Sequence, residues 1–336
     1  MHEPGFWHRP TSLIARCLLP LAALYGRVAA ARMAKPGHDA GIPVICVGNY
    51  HTGGAGKTPT VLALAAMLRG LGETPWVLSR GYGGAARGPL RVDPVRHRAA
   101  EVGDEPLMMA AQVPVVVARD RVAGAALARA GGASVIVMDD GFQNPALHKD
   151  LSLIVIDGGR GLGNGLVFPA GPLRAPLLPQ LVRTDALLVI GAGRAARPVE
   201  AALAARGVPV LHADVVPDPA AVTALRGRRV LAFAGIGHPD RFFALLRAQG
   251  IEVARARAFP DHHPLTRQEI AALHEEAARD GLGLVTTEKD MARLRNGDLA
   301  ALAEAVTPFP VGLRFADETA CRTLLTSALR AARPPA

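Results

Sequence analysis

The chain has 336 residues, a formal net charge of +9 and a hydrophobic fraction of 50%. The length favours two domains of ordinary size. Cys17, Cys46 and Cys321 lie far apart without metal-ligand spacing, which argues against a disulfide scaffold and a zinc site and fits a reducing compartment. The excess of arginine predicts an anionic partner or is simply a solvated surface. No basic run alternates with aromatic residues, so we predict no nucleic-acid partner.

Residues 11–33 are the most apolar part of the chain, and we predict an amphipathic helix within residues 1–34. The charge-free stretch, residues 17–26, is much shorter than the about 20 residues that span a bilayer. Apolar residues recur at spacings of three and four, at Leu13, Ile14, Leu18, Leu21, Leu24 and Val28. Three interpretations remain open: a helix lying in the membrane surface, a helix packed on the protein's own core, and a cleaved signal peptide. We favour the first.

Continuous apolar runs farther along the chain predict strands that are buried on both faces, as in parallel sheets. The runs occupy residues 43–48, 76–79, 114–118, 134–140, 151–157 and 186–190. Helical segments at residues 59–71 and 121–130 lie between them. This alternation predicts an α/β fold with a doubly wound, mostly parallel sheet.

A second, smaller α/β unit is predicted after residue 222. Strand-like runs at residues 228–237 and 283–290 alternate with helical segments at 239–249 and from 266 onward. We therefore divide the chain into domains at 35–222 and 223–336. We also expect residues 310–315 to pair with residues 209–216.

The stretch HTGGAGKTP, residues 51–59, lies between a predicted strand and a predicted helix, which is the context of a phosphate-binding loop (P-loop). Backbone N–H groups of glycines and of the helix N-terminus bind phosphate oxygens there, Lys57 reaches the β- and γ-phosphates, and Thr58 binds Mg²⁺. His51 stands where the strict pattern has glycine. The predicted nucleotide-binding residues are His51, Thr52, Gly53, Gly54, Ala55, Gly56, Lys57 and Thr58.

An acidic pair ends the apolar strand at residues 134–140. Asp139 and Asp140 stand where nucleotide-binding proteins of this type hold their metal ion, although an acidic pair can also simply open a turn. Partner-switching ATPases need a lysine in place of Thr52, and GTPases need an N-K-x-D motif that residues 287–290 do not supply. A kinase or a hydrolytic motor remains.

Eight motifs in series now resemble one family. They are GNYHTGGAGKTP (48–59), LSRGYGG (78–84), VGDEPLMMA (102–110), MDDGFQ (138–143), GNGLVFPAGPLR (163–174), AGIGHPDRFF (234–243), FPDHHPLT (259–266) and VTTEKD (285–290). Together they resemble the tetraacyldisaccharide 4'-kinases, the lipid A 4'-kinases of Gram-negative bacteria. Asn144, Ala175 and His238 depart from the family pattern beside these motifs, which puts local hydrogen bonds in doubt.

The resemblance implies that ATP donates its γ-phosphate, with Mg²⁺, to the 4'-hydroxyl of a tetraacylated glucosamine disaccharide 1-phosphate. It also implies two α/β domains around a cleft and a peripheral or monotopic protein on the cytoplasmic face of the inner membrane, whose anionic surface is a second partner. No obligate protein partner is evident. The alternatives from the residues alone are a kinase of a soluble metabolite and a nucleotide-dependent switch.

Asp104 and His262 are the predicted catalytic residues. From the residues alone, a helix N-cap is the favoured interpretation of Asp104, and the resemblance is what favours a catalytic base; both roles are compatible. His262 would orient and tune Asp104, which requires the cleft to close; metal binding is its alternative. The predicted magnesium ligands are Thr58, Asp139, Asp140 and Glu105. Arg80, Asn164 and Arg174 are candidates for the sugar and its phosphate, with structural ion pairs as their alternative. The roles of His263 and Lys289 stay open.

Overall fold

The computed structural model describes residues 4–9, 12–295 and 299–333. The strands are β1 (Val44–Gly48), β2 (Pro75–Ser79), β3 (Leu90–Arg91), β4 (Val115–Val117), β5 (Val135–Asp139), β6 (Leu151–Asp157), β7 (Ala186–Ile190), β8 (Val210–Pro217), β9 (Arg229–Ala234), β10 (Glu252–Ala258), β11 (Gly283–Thr287), β12 (Val306–Phe309) and β13 (Val311–Phe315). The helices are α1 (Leu13–Met33), α2 (Lys57–Gly70), α3 (Ala99–Val102), α4 (Asp104–Ala110), α5 (Arg121–Ala130), α6 (Leu177–Val182), α7 (Arg197–Ala204), α8 (Pro219–Leu225), α9 (Pro239–Ala248), α10 (Arg267–Asp280), α11 (Glu288–Leu294), α12 (Ala300–Ala303) and α13 (Glu318–Ala332). A 3-10 turn spans Gly5–His8.

The larger sheet in the described part of the chain has nine strands in the order β13-β8-β7-β6-β1-β5-β2-β4-β3. Its pairings are parallel except at the two edges, where β3 and β13 are antiparallel to their neighbours. The six apolar runs that predicted buried strands all form strands of this sheet, and every residue of β1, β5, β6 and β7 is buried.

Helices cover both faces of the larger sheet, as the doubly wound prediction requires. One face packs on α2, α4 and α13, and the other packs on α1, α5, α6 and α7. Because the central strands are covered on both sides, they carry Val, Ile and Leu without alternation. The larger sheet and its helices are called the large lobe below.

The smaller sheet has four parallel strands in the order β10-β9-β11-β12. Its core contains Phe233, Phe242, Phe309 and Ile270. This sheet, with α8 to α12, is called the small lobe below. Both lobes are therefore α/β structures with mostly parallel sheets, as the sequence predicts.

The end of the chain returns to the large lobe. β13 pairs antiparallel with β8, with Leu313 opposite Val215, so the predicted pairing of residues 310–315 is confirmed. Cys321 and Leu325 of α13 lie in the core of the large lobe. The predicted second domain, residues 223–336, is therefore not one packing unit, because residues 311–333 pack on the large lobe.

Helix α1 packs on the protein by small residues and leaves large apolar ones exposed. Ala15, Ala22 and Gly26 are buried, and a Cβ on Gly26 would lie 3.2 Å from Pro176. The exposed large apolar residues of α1 are Leu13, Ile14, Leu19, Leu21, Leu24, Tyr25 and Val28. Its length and composition are sufficient to cross a membrane, although its longest stretch without a charge is residues 17–26.

Candidate active site

The glycine-containing loop lies at the carboxyl edge of the large sheet, where ligands of open α/β sheets bind. β1 ends at Gly48 and α2 begins at Lys57, so residues 49–56 form the loop between them. Gly56 adopts φ 87° immediately before the helix, and a Cβ there would lie 2.6 Å from Ile190 Cδ1. Gly53 adopts φ 100°. These left-handed conformations favour glycine at both positions.

Contacts with the segment around Leu173 fix the start of this loop. His51 is buried and forms an antiparallel bridge with Leu173, and its Nδ1 lies 2.8 Å from the carbonyl oxygen of Thr52. The amide of Thr52 donates to the carbonyl of Pro172 at 2.9 Å. His51 therefore holds the start of the loop against Leu173. Within the loop, Gly53 and Gly54 are exposed. Ala55 is buried, whereas Lys57 and Thr58 are half-buried at the start of α2.

Asp140 lies between two cations. The Nζ atom of Lys57 is 3.7 Å from its Oδ1, and Arg174 donates a hydrogen bond to the same oxygen at 2.5 Å. Burial alone would raise the pKa of Asp140, but the charges of Lys57 and Arg174 lower it to about 2. The structure thus brings together three predicted residues, and Arg174 contacts a predicted metal ligand.

Asp139 is the buried member of the acidic pair. Burial, together with the negative charges of Glu105 and Asp140, raises its pKa to about 7. Ser79 donates to Asp139 Oδ2 at 3.1 Å from the end of the neighbouring strand β2. A carboxylate that is so crowded by negative charge favours the approach of a cation.

The donor set fits Mg²⁺. Asp139, Asp140, Glu105 and Thr58 offer oxygen atoms, which are the ligands that Mg²⁺ prefers. Among the described residues no group of three or more acidic, histidine or cysteine side chains is pre-assembled for a metal. Mg²⁺ is usually held by one or two carboxylates together with substrate phosphates, so a smaller protein-derived set is sufficient.

Asp104 and His262 meet across the two lobes. The Nδ1 atom of His262 lies 3.0 Å from Oδ2 of Asp104. The N-cap of α4 is Gly103, and Asp104 is its first residue, whose Oδ1 accepts a hydrogen bond from the amide of Glu105 at 3.1 Å. His262 adopts φ 59°, which is unusual for a residue with a side chain. The predicted pair is therefore assembled, and the N-cap alternative for Asp104 is not observed.

Two further cations of the small lobe reach Asp104. Arg293 donates to Oδ2 through Nε at 3.0 Å and through a terminal nitrogen at 2.7 Å, and Lys289 Nζ lies 3.8 Å away. Burial raises the pKa of Asp104, but the hydrogen bond from His262 and the charges of Lys289 and Arg293 outweigh it and hold this pKa well below its usual range. Asp104 is therefore ionised throughout the physiological pH range.

Lys289 forms ion pairs with carboxylates of both lobes. Its Nζ lies 3.3 Å from Glu105 Oε1 and 3.8 Å from Asp261 Oδ1. Burial lowers its pKa, but Glu105, Asp104 and Asp261 together raise it above the usual value. The charge of Glu105 also raises the pKa of Asp139, so a carboxylate next to Asp104 acts on the acidic pair beside the glycine-containing loop. His263, by contrast, contacts Glu269 at 2.8 Å, beside the start of α10.

In the described part of the chain, the remaining predicted substrate residues, Asn164 and Arg80, form no hydrogen bond or ion pair with these groups. Asn164 donates to the carbonyl of Ala170 at 3.0 Å and accepts from the amide of Leu166 at 3.0 Å, so its side chain holds its own loop. Arg80 is exposed directly after β2. His238, one of the departures from the family pattern, contacts Arg160 at 2.9 Å.

Two groups near the site were missed by sequence reasoning. Arg293 stands three residues after Asp290, and the quoted motif ends at Asp290, so only helical spacing could have indicated it. Arg121 is buried, and burial lowers its pKa although the charge of Asp139 opposes this. Its Nε has no hydrogen-bond partner among the described residues. Arg121 is the first residue of α5, and an arginine at a helix end gives no sign in the sequence that it is buried.

Comparison with known proteins decides the family. The model of the tetraacyldisaccharide-1-P 4'-kinase family matches residues 14–330. The chain belongs to the tetraacyldisaccharide 4'-kinase family. Curated tetraacyldisaccharide 4'-kinases from Nitrobacter winogradskyi and Nitrobacter hamburgensis are 66% and 67% identical over 334 residues. These matches cover 99% of this chain and 99% and 100% of the relatives.

A solved member of the family has the same fold. The crystal structure of LpxK from Aquifex aeolicus in complex with ATP matches with a TM-score of 0.71 and 27% sequence identity. The match covers 94% of this chain and all of the Aquifex chain. The family resemblance and the coarse α/β fold predicted from the sequence are thereby confirmed.

Proposed function

We propose that the chain phosphorylates the 4'-hydroxyl of a tetraacylated glucosamine disaccharide 1-phosphate with ATP, a step of lipid A biosynthesis. Besides family membership, one observation carries the proposal: Glu105 and Lys289 connect the Asp104–His262 pair to the acidic pair beside Lys57. A phosphate donor at the loop and a hydroxyl acceptor at Asp104 would then occupy adjoining parts of one cleft.

ATP binding is assigned to residues 51–58. The exposed glycines leave backbone N–H groups accessible, and the N-terminus of α2 adds its positive end. Lys57 neutralises charge on the β- and γ-phosphates when it exchanges Asp140 for phosphate oxygens. Thr58, Asp139 and Asp140, with Glu105 nearby, would hold Mg²⁺, which when bound supplies charge neutralisation to the phosphates.

Asp104 is the proposed proton acceptor. The acceptor oxygen forms a bond to the γ-phosphorus while the bond from that phosphorus to the bridging oxygen of ADP breaks, and the hydroxyl proton passes to Asp104. Such transition states are loose, so the proton leaves late, when the hydroxyl has become acidic. A carboxylate with a low pKa is sufficient for a late transfer, and its constant ionisation keeps it ready.

His262 orients Asp104 from the small lobe. Its Nδ1 contacts Asp104, which leaves Nε2 near Lys289 at 3.4 Å. Because the two residues belong to different lobes, the pair assembles only when the lobes meet, which excludes water from the γ-phosphate and limits wasteful hydrolysis. Arg174 and Arg80 are proposed to hold anionic or hydroxyl groups of the acceptor, whereas Asn164 shapes the loop beside them.

Association with the cytoplasmic face of the inner membrane is proposed through α1. Arg16 and Arg27 lie about 16 Å apart along the helix, less than the roughly 30 Å hydrocarbon thickness, so a spanning orientation would bury at least one charge. One face of the helix packs on the protein by Ala15, Ala22 and Gly26. An orientation in the membrane surface leaves the exposed apolar residues in lipid and the arginines at the headgroups.

The direct test is a detergent-micelle assay with ATP and a tetraacylated disaccharide 1-phosphate. We expect a bisphosphorylated lipid whose new phosphate is on the 4'-oxygen. No transfer to this acceptor, together with efficient phosphorylation of a soluble sugar, would instead support a kinase of a soluble metabolite. ATP hydrolysis without any acceptor would support a nucleotide-dependent switch.

A further inference from the structure

Arg293 is a buried arginine of the small lobe whose guanidinium reaches a residue of the large lobe. Its side chain is 9% exposed, and two of its nitrogens donate to the same Oδ2 of Asp104. The third nitrogen donates to Asp290 at 2.7 Å and to the carbonyl of Gly235 at 3.0 Å. All three guanidinium nitrogens are therefore used, and a lysine could not reproduce this fork.

The small-lobe side of this contact is rigid. Asp290 is fully buried and accepts hydrogen bonds from the amide of Gly235 at 3.1 Å and from Thr287 Oγ1 at 2.7 Å. A Cβ on Gly235 would lie 3.1 Å from both Arg293 and Asp290, which is tighter than most Cβ contacts. Asp290 and Gly235 thus fix the guanidinium plane before it meets Asp104.

The same carbonyl of Gly235 also holds His262. The amide of His262 donates to it at 3.2 Å, and this contact accompanies the unusual φ of 59°. Arg293 and His262 therefore share one anchoring atom and approach Asp104 from one rigid unit. A left-handed conformation at a residue with a side chain persists only where its surroundings impose it.

We propose that Arg293 is a positioning residue that acts through Asp104, and that the meeting of the lobes delivers it together with His262. The inference rests on the proposed role of Asp104 as proton acceptor. With the lobes apart, Asp104 would lose its hydrogen-bond donors from the small lobe at once. The carboxylate would then no longer be oriented by the guanidinium fork and the imidazole.

Charged and titratable groups of both lobes surround Asp104. They are Glu105 of α4, Tyr82 of the loop after β2, Asp261 and His262 of the loop before α10, and Lys289, Asp290 and Arg293 of α11. Arg293→Met removes one positive charge and two hydrogen bonds from Asp104. We expect kcat to fall about 10- to 100-fold with the KM for ATP nearly unchanged, because the fork orients Asp104 and does not contact the loop at residues 51–58.

A conservative variant separates position from charge. Arg293→Lys keeps the charge but loses the fork, so kcat should fall in this variant as well, with the KM for ATP nearly unchanged. Arg257→Met is the matched control, because Arg257 forms an exposed ion pair with Glu276 in the same lobe, and it should change neither quantity. If Arg293→Met does not fold, wild-type kcat in Arg293→Lys overturns the inference by itself.

Asp104→Asn distinguishes this inference from the proposed function. If that variant keeps wild-type activity, the proposed role of Asp104 fails. If it is inactive while Arg293→Met keeps wild-type kcat, or raises the KM for ATP as strongly as it lowers kcat, the inference alone fails. If Arg293 acts through Asp104, the double variant should be no slower than Asp104→Asn, whereas independent roles would multiply the two losses.

Discussion

The Nδ1 atom of His262 lies 3.0 Å from Oδ2 of Asp104, although 158 residues separate the two along the chain. Asp104→Ala removes the proposed proton acceptor while the phosphate loop stays intact. We expect kcat to fall about 10²- to 10⁴-fold with little change in the KM for ATP, because the lost interaction concerns proton transfer. Steady-state kinetics with the lipid acceptor measure both constants.

The control for this prediction is Asp280→Ala, which removes an exposed ion pair with Arg255 and should leave both constants unchanged. A loss of ATP affinity in Asp104→Ala equal to its loss of kcat would contradict the prediction, since it would place Asp104 in the nucleotide site. The thermal midpoint of each variant shows whether the fold is retained.

Gly56→Ala tests the conformation of the phosphate loop. Gly56 has φ 87°, and a Cβ would press on the end of the Ile190 side chain. Ile190 can rotate, so the backbone strain dominates, and we expect about 1–3 kcal/mol of destabilisation in the nucleotide-free protein. Gly54→Ala is the matched control, because a Cβ there meets no atom within 4 Å. Equal thermal midpoints for the two variants would contradict the assigned loop conformation.

Asp139→Asn should change how stability depends on pH. The pKa of Asp139 is raised from 3.8 to about 7 by burial and by Glu105 and Asp140. As pH rises from about 4 to 7, the unfolded chain releases this proton while the folded chain retains it, so the contribution to the free energy of unfolding falls. Asparagine cannot ionise. The variant should therefore be more stable than the wild type at pH 8, by a few kcal/mol at most, and nearly equal to it at pH 4.

Urea denaturation of the protein without nucleotide or metal, at several pH values between 4 and 8, measures this difference. Subtracting the wild-type curve from the variant curve removes the titration of groups that both share. A difference that does not vary with pH would show that Asp139 is ionised in the fold over the whole range.

The exposed surface of α1 divides into two strips. Leu21, Leu24 and Val28 lie on one side, and Ala23 lies between Arg16 and Arg27 on another. Replacing Leu21 and Leu24 by glutamate should lower binding to anionic phospholipid vesicles at least about tenfold, because each leucine would no longer be buried in lipid. Vesicle flotation measures the bound fraction.

Ala23→Glu is the control for the membrane prediction, since it adds a negative charge to the same helix on the arginine strip. It should reduce binding much less than the leucine variants do. Equal losses from both substitutions would show that net charge, and not the apolar strip, determines membrane association. All of these residues are exposed, so the thermal midpoint should not change.

The parts of the fold that sequence reasoning predicted well are those with a local signal. Strands β1, β5 and β6 are continuous apolar runs, and the loop at residues 51–58 has its glycines between a strand and a helix. The family resemblance supplied Asp104 and His262, whose contact no local pattern encodes. Their closeness follows from how the lobes meet.

Arg293 and Asn164 show where local patterns are insufficient. Arg293 contacts Asp104 across 189 residues, and a lone arginine after a motif resembles any exposed helical residue. Asn164 was predicted to contact substrate because it lies in a glycine-rich loop, but both ends of its amide bind that loop. A polar side chain's partners depend on the folded backbone around it, which spacing alone does not determine.

The antiparallel pairing of β13 with β8 makes the small lobe an insertion within the large one. A ribosome must therefore synthesise the whole small lobe before β13 and α13 can cover the large sheet, and Cys321 and Leu325 join its core last. A nascent chain that ends before residue 311 would expose the edge of β8 and part of that core. We expect such fragments to be recognised by chaperones or degraded.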